Sequence, residues 1–181
     1  MTATKRDYCN GGYDGYQYVG YTPSPWVEGS AQTFTASATY TPASIKLNLM
    51  NSGGYGPPYP AIYAWIATLA GVRVAIGTID TSSISLGGFT TITTPITTVD
   101  SNVQSGTQYY LFVTSSLTNS GLFYVQKSYM GYAGGQQLYL SGGLDATWSV
   151  LPENDLWFEI WGSEPVLTKA KYAHYPLRLA R

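Results

Sequence analysis

Along most of this sequence, apolar and polar residues alternate with a period of two, the spacing of a strand that buries one face. The run from Ser105 to Ser115 carries the pattern best: Tyr109, Leu111 and Val113 share one side, and Tyr110, Phe112 and Thr114 the other. Neither side is fully polar, which predicts a strand in the middle of a sheet, covered to some degree on both faces. Aromatic and β-branched residues dominate the run, and Gly and Ser bound it, so a helix is disfavoured.

The same reading extends to the remaining segments. Residues 15–21 make a first, edge-type strand within a Tyr- and Gly-rich opening, and 31–36 a short alternating one. Over 43–52, Ile45, Leu47 and Leu49 face one way, with Lys46, Asn48 and Met50 the other. Residues 59–68 set Ile62, Ala64 and Ile66 against Tyr63 and Trp65, and 72–78 follows after a short turn. The threonine-dense stretch 89–99 is one strand, with Pro95 marking an edge or a bulge. Residues 121–127 are expected to return as the hairpin partner of 105–115, and 136–140 is short. The last strand, 154–162, turns Leu156, Phe158 and Ile160 inward and Trp157, Glu159 and Trp161 outward. No segment sustains a 3.6-residue period. Roughly eight or nine short strands predict an all-β fold, a two-sheet antiparallel β-sandwich or jelly roll. Its core would hold Ile45, Leu47, Leu49, Leu111, Val113, Leu156, Phe158 and Ile160.

Composition narrows the setting. At 181 residues the protein suits one domain that buries about 70% of its unfolded surface. Only 10% of residues are charged, against roughly 25% in ordinary soluble domains. Such a Tyr-, Thr- and Gly-rich surface fits an extracellular or particle-borne β protein better than a cytosolic enzyme. A net charge of −1 gives no reason to expect nucleic acid or an anionic membrane as the main partner. Cys9 is the single cysteine, so no internal disulfide forms, and a buried or half-buried thiol is expected. Met1 to Lys5 has no apolar run behind it, which argues against a secretory signal. No stretch approaches the ~20 apolar residues of a membrane span.

Three parts follow: a Tyr/Gly-rich segment at 1–30 with the first strand, the sandwich at 31–162, and an arm at 163–181. The arm holds Lys169, Lys171, Arg178 and Arg181 and the only histidine, His174. It reads as an extended segment lying on its own body or on a neighbour, with both termini tied down.

Several stretches occur in order along the sequence: Ala31-Gln-Thr-Phe-Thr-Ala36, Gly77-Thr-Ile-Asp-Thr-Ser-Ser-Ile84, Ser105-Gly-Thr-Gln-Tyr-Tyr110, Tyr132-Ala-Gly-Gly135 and Asp155-Leu-Trp-Phe158. Over residues 13–162 the sequence resembles the jelly-roll domain, similar to carbohydrate-binding modules, of secreted microbial, cell-surface and phage virion proteins. The resemblance implies fold more than function. The sequence departs from it by standing without a catalytic neighbour or repeat copies, and by its terminal arm. Jelly rolls of this kind often hold a structural Ca²⁺ through Asp and backbone oxygens. Asp14 and Asp155 would be the ligands here if the first and last strands pair; the competing reading is an Asp bonded to turn amides.

Enzymatic chemistry finds little footing. A His-based triad would have to use His174 in the arm, and no nucleophile elbow, zinc set or phosphate-binding glycine loop is present. The scattered carboxylates read as turn caps and solvated edges. The aromatics say more. Tyr63 and Trp65, Tyr110 and Phe112, and Trp157 and Trp161 are all expected outward, which would form one apolar patch larger than monomers usually expose. Three readings stay open: stacking on sugars, burial against other subunits, and cover by the protein's own terminal segments. The leading expectation is a non-enzymatic virion structural protein without cofactor, such as a phage capsid decoration, fibre-base or tail-attached component. Its partners would be other virion subunits and further copies of itself. The alternative is a carbohydrate-binding adhesin module of a secreted or cell-surface protein that binds a surface glycan.

Overall fold

A computed structural model of the protein describes residues 2–19, 29–53, 61–99, 102–115, 123–128, 132–140, 148–151 and 154–165. Within them the strands are β1 (Thr4–Cys9), β2 (Tyr13–Val19), β3 (Gly29–Thr35), β4 (Thr41–Asn51), β5 (Ile62–Thr68), β6 (Arg73–Ile79) and β7 (Thr90–Pro95). They continue with β8 (Thr97–Thr98), β9 (Gln108–Ser115), β10 (Phe123–Ser128), β11 (Gln137–Leu140), β12 (Trp148–Leu151), β13 (Asp155–Leu156) and β14 (Phe158–Ser163). A single 3-10 turn at Thr81–Ser83 is the only helical element among the described residues, capped by Asp80 accepting from the Ser82 N–H.

The strands form two antiparallel sheets packed as a sandwich. The first runs β1-β14-β4-β10-β13, with β2 paired to β10 and β7 to β4. The second runs β12-β11-β3-β9-β5-β6-β8. Between them lies one core in which Ile45, Leu47, Leu49, Leu111, Val113, Leu156, Phe158 and Ile160 are all buried, as their parity in sequence requires. β9 sits between β3 and β5, as an apolar strand with two covered faces should.

The threonine-rich stretch is not one strand. It pairs with β4 as β7, crosses at Ile96, and joins β6 in the other sheet as β8. Pro95 ends β7 just before the crossing, where the lost N–H costs no ladder bond. The crossing backbone approaches so closely that a Cβ on Gly77 would lie 2.3 Å from the Pro95 carbonyl oxygen, so β6 needs glycine there.

Three further expectations are corrected. The 121–127 stretch, β10, is not the hairpin partner of β9; it pairs with β4, β2 and β13 in the opposite sheet. Alternation shows which side of a strand is buried, not which sheet it joins. An additional strand, β1, precedes the expected first one and forms an edge of the first sheet on β14. The strands number more than eight or nine because bends and crossings split several of them. The expected first strand is β2, with β10 as its only partner among the described strands, so its edge position holds. The arm beyond Pro165, with Lys169, Lys171, His174, Arg178 and Arg181, lies outside the described residues.

Candidate functional site

The sandwich turns two faces outward. On the second sheet, register aligns one row across all seven strands: Val150, Leu138, Ala31, Phe112, Trp65, Ile76 and Thr97. At ~4.8 Å between strands this row is roughly 30 Å long. All of its side chains but Thr97 are apolar. Ala31, Ala67, Phe112 and Leu138 form a second buried cluster with Trp65 and Tyr110 packed on it, separate from the main core.

Trp65 stands at the centre of this row. Its ring stacks on Phe112 at 4.0 Å between centroids, and Tyr110 tilts against Phe112 at 5.2 Å. The Arg73 guanidinium lies 4.9 Å from the Trp65 centroid. Phe112 comes from β9 and Arg73 from β6, the two strands flanking β5. The indole N–H points at the Thr114 hydroxyl, 3.5 Å away. Beside it Tyr63, Trp65, Arg73, Ile76 and Thr114 line a cavity of about 330 Å³.

On the first sheet several outward side chains are polar and bonded to one another, beside the exposed rings of Tyr8, Tyr13 and Tyr16. Thr91 donates to the Asn48 carbonyl oxygen, and the Asn48 amide to Gln126 at 2.9 Å, linking β7, β4 and β10. Glu159 pairs with Lys5 at 3.4 Å and with Lys46 at 3.5 Å, and accepts from Asn10 at 3.1 Å and from the Trp161 indole at 2.9 Å. Burial pushes the Glu159 carboxyl up, but these hydrogen bonds and both lysines outweigh it and hold it below its usual range. Lys46 also lies over the Trp161 ring, and Lys5 over that of Tyr8. Tyr16 meets Tyr124 edge-on at 4.4 Å, and Tyr16 is 46% exposed.

One end of the interior is polar. Buried Asp7 accepts from the Tyr40 hydroxyl at 2.7 Å and the Ser37 N–H at 2.9 Å. Burial first, and then the Asp7 charge, push the Tyr40 hydroxyl far up. Asp155 accepts from Gln32 Nε2 at 2.7 Å and from the Tyr132 N–H at 2.6 Å, while Gln32 Oε1 takes the Leu156 N–H. Gln32 thereby ties the second sheet to the first. Burial raises the Asp155 carboxyl despite these donors, and burial likewise raises the Cys9 thiol, away from the reactive thiolate.

The structure separates the six aromatics that the alternation groups together. Tyr63, Trp65, Tyr110 and Phe112 belong to the second sheet, whereas Trp161 lies on the first, so no single patch joins them. Trp157 is half-buried at the junction of β13 and β14, its N–H bonded to the Gln126 carbonyl. The strands of Asp14 and Asp155 do not pair. β10 lies between β2 and β13, so the premise that would bring the two carboxylates together fails. The Asp14 side chain is outside the described ones, and among the described residues no three His, Cys, Asp or Glu side chains converge on a metal position. No described helix is long and apolar enough to cross a membrane. The Lys5–Glu159–Lys46 network and Arg73 carried no local sequence signal, since pairing alone brings them to their sites.

No family model matches the sequence, and no curated protein matches it. The fold is a two-sheet antiparallel β-sandwich, consistent with a jelly roll.

Proposed function

We propose that this protein is a non-enzymatic structural component of a virus particle: a phage capsid decoration, fibre-base or tail-attached protein. It joins other subunits through the outer face of its second sheet and through its terminal arm. The observation that carries the reading is the apolar register row centred on Trp65. Ala31, Phe112 and Leu138 of this row are buried within the protein, while Trp65 and Ile76 are half-buried and Val150 is exposed, so an apolar strip remains for a partner to cover. The Trp65 ring is already engaged by Phe112 and Arg73, which makes it a poorer platform for a sugar ring. A shape-matched protein surface would cover it instead, with Trp, Tyr and Arg as anchors. The low charge and the Tyr-, Thr- and Gly-rich composition support a particle setting. The test is gradient sedimentation of particles from the native source. The protein should cosediment at a fixed copy number and survive washing with free sugars. Finding it only in the soluble fraction would contradict the assignment.

A second reading, a carbohydrate-binding adhesin module, draws on the first sheet. The Thr91–Asn48–Gln126 hydrogen-bond row, with Tyr16 and Tyr124 beside it, offers hydroxyl and amide groups to a polyhydroxylated ligand. Loss of glycan retention on Asn48→Ala with particle attachment unchanged would favour it.

A further inference from the structure

Arg73 is exposed at the start of β6, beside the irregularity in register at Ile66/Ala67. It belongs to neither salt bridge found among the described residues, both of which centre on Glu159 in the other sheet. Its guanidinium lies over the Trp65 ring, which in turn stacks on Phe112. A cation with no counter-ion among the described residues, placed over the Trp65 ring, thus lines a cavity together with Tyr63, Trp65, Ile76 and Thr114.

We propose that this cavity receives a carboxylate carried on an apolar stem by the partner protein: an Asp or Glu side chain, or a C-terminal carboxylate, beside an apolar residue. The inference rests on the reading of the second sheet's outer face as a protein-docking surface, and it names the chemistry of the docking partner. Among the described residues Arg73 supplies the only charge lining the cavity, so complementarity asks for an anion. Guanidinium N–H groups form a planar fork that matches a carboxylate bidentately. The volume of about 330 Å³ is near the lower end for ligand cavities, roughly 300–1,000 Å³. It therefore suits one side chain and not an oligomer. Tyr63 and Ile76 accept the stem, and the stacked indole keeps the fork from having to be ordered on binding, which spares side-chain entropy.

The test titrates the full-length protein with 3-phenylpropionate, 3-phenylpropionamide and glucuronate, reading the Trp65 indole N–H and the Arg73 Nε–H by NMR. The expected result is a saturable shift with 3-phenylpropionate alone, weakened about tenfold or more in Arg73→Gln and partly kept in Arg73→Lys. A shift with the amide equal to that with the acid, a response to glucuronate only, or no response to any of the three overturns the proposal. Particle retention separates it from the docking reading. If Val150→Asp, at the exposed end of the row, abolishes retention while Arg73→Gln leaves it intact, the carboxylate anchor falls and docking stands. If neither variant changes retention but the acid-selective shift persists, docking falls and the carboxylate-selective cavity stands. Loss in both variants, with the acid-selective shift, supports both.

Discussion

On the first sheet, several outward positions beside the exposed Tyr8, Tyr13 and Tyr16 hold groups that satisfy one another: Thr91 with Asn48, Asn48 with Gln126, and Glu159 with two lysines, an asparagine and an indole. On the second, the equivalent positions carry Leu138, Ala31, Phe112 and Trp65 in direct register, packed mainly on apolar side chains, with Arg73 over the Trp65 ring and Thr114 accepting from its indole. Both faces come from alternating strands over a shared core, so the fold does not require the difference. A polar lattice is compatible with water, because exposed hydrogen bonds exchange with solvent at little net cost. Of the apolar row, only the parts still in water, chiefly Val150 and the half-buried Trp65 and Ile76, gain when another surface covers them, by about 25 cal/mol per Å². The contrast supports the proposal that the second sheet is the docking face.

Removing the stack tests the contrast hardest. Phe112→Ala takes a ring 8% exposed from between Trp65, Tyr110 and Leu138, and should cost about 3 kcal/mol of unfolding free energy. A loss under about 1 kcal/mol in urea titration would mean that the outer cluster is not packed as described. Next comes the tie between the sheets. In Asp155→Asn one amide hydrogen must face a donor, either Gln32 Nε2 or the Tyr132 N–H, while Gln32 Oε1 stays committed to Leu156. The expected loss is about 2 kcal/mol at neutral pH.

The two carboxylates also respond to pH with opposite sign. Asp155 is raised in the folded state, so its contribution is complete below 3.8, the value of the free group, and is lost as pH rises through the folded value. Glu159 is lowered, so its contribution is present above 4.5 and is lost as pH falls through the folded value. Glu159→Gln should therefore cost about 1 kcal/mol at neutral pH and low salt, and less in acid or high salt. Melting curves across pH and ionic strength would check it; a cost independent of both would remove the electrostatic account of the first face. The smallest effect expected is for Thr91→Val, within about 0.5 kcal/mol, since the exposed Thr91–Asn48 bond is replaced by water. A large loss there would mean that the polar lattice bears more of the stability than its exposure implies.

Much of this was legible before pairing was known, and the limit is physical. Period-two alternation assigns inside and outside strand by strand, and it does so correctly for β4, β5, β9 and β14 because each buries one face against a shared core. It carries no information on which sheet a strand joins, so it merges Trp161 with Trp65 and pairs β10 with β9. β1 is hidden for another reason. Thr4-Lys-Arg-Asp-Tyr-Cys9 buries only Asp7 and Cys9, and the buried Asp7 is tolerated because Tyr40 and Ser37 donate to it from positions distant in sequence. The Arg73 cavity has the same origin, since β5, β6 and β9 must pair before its lining exists.

Hydroxyl-radical footprinting of the protein, free and in its native assembly, measures the difference between the faces most directly. In the assembly, Trp65, Tyr110 and Val150 should lose reactivity while Tyr8, Tyr16 and Trp161 keep theirs. Protection of Tyr8, Tyr16 and Trp161 with the second sheet still reactive would contradict the account.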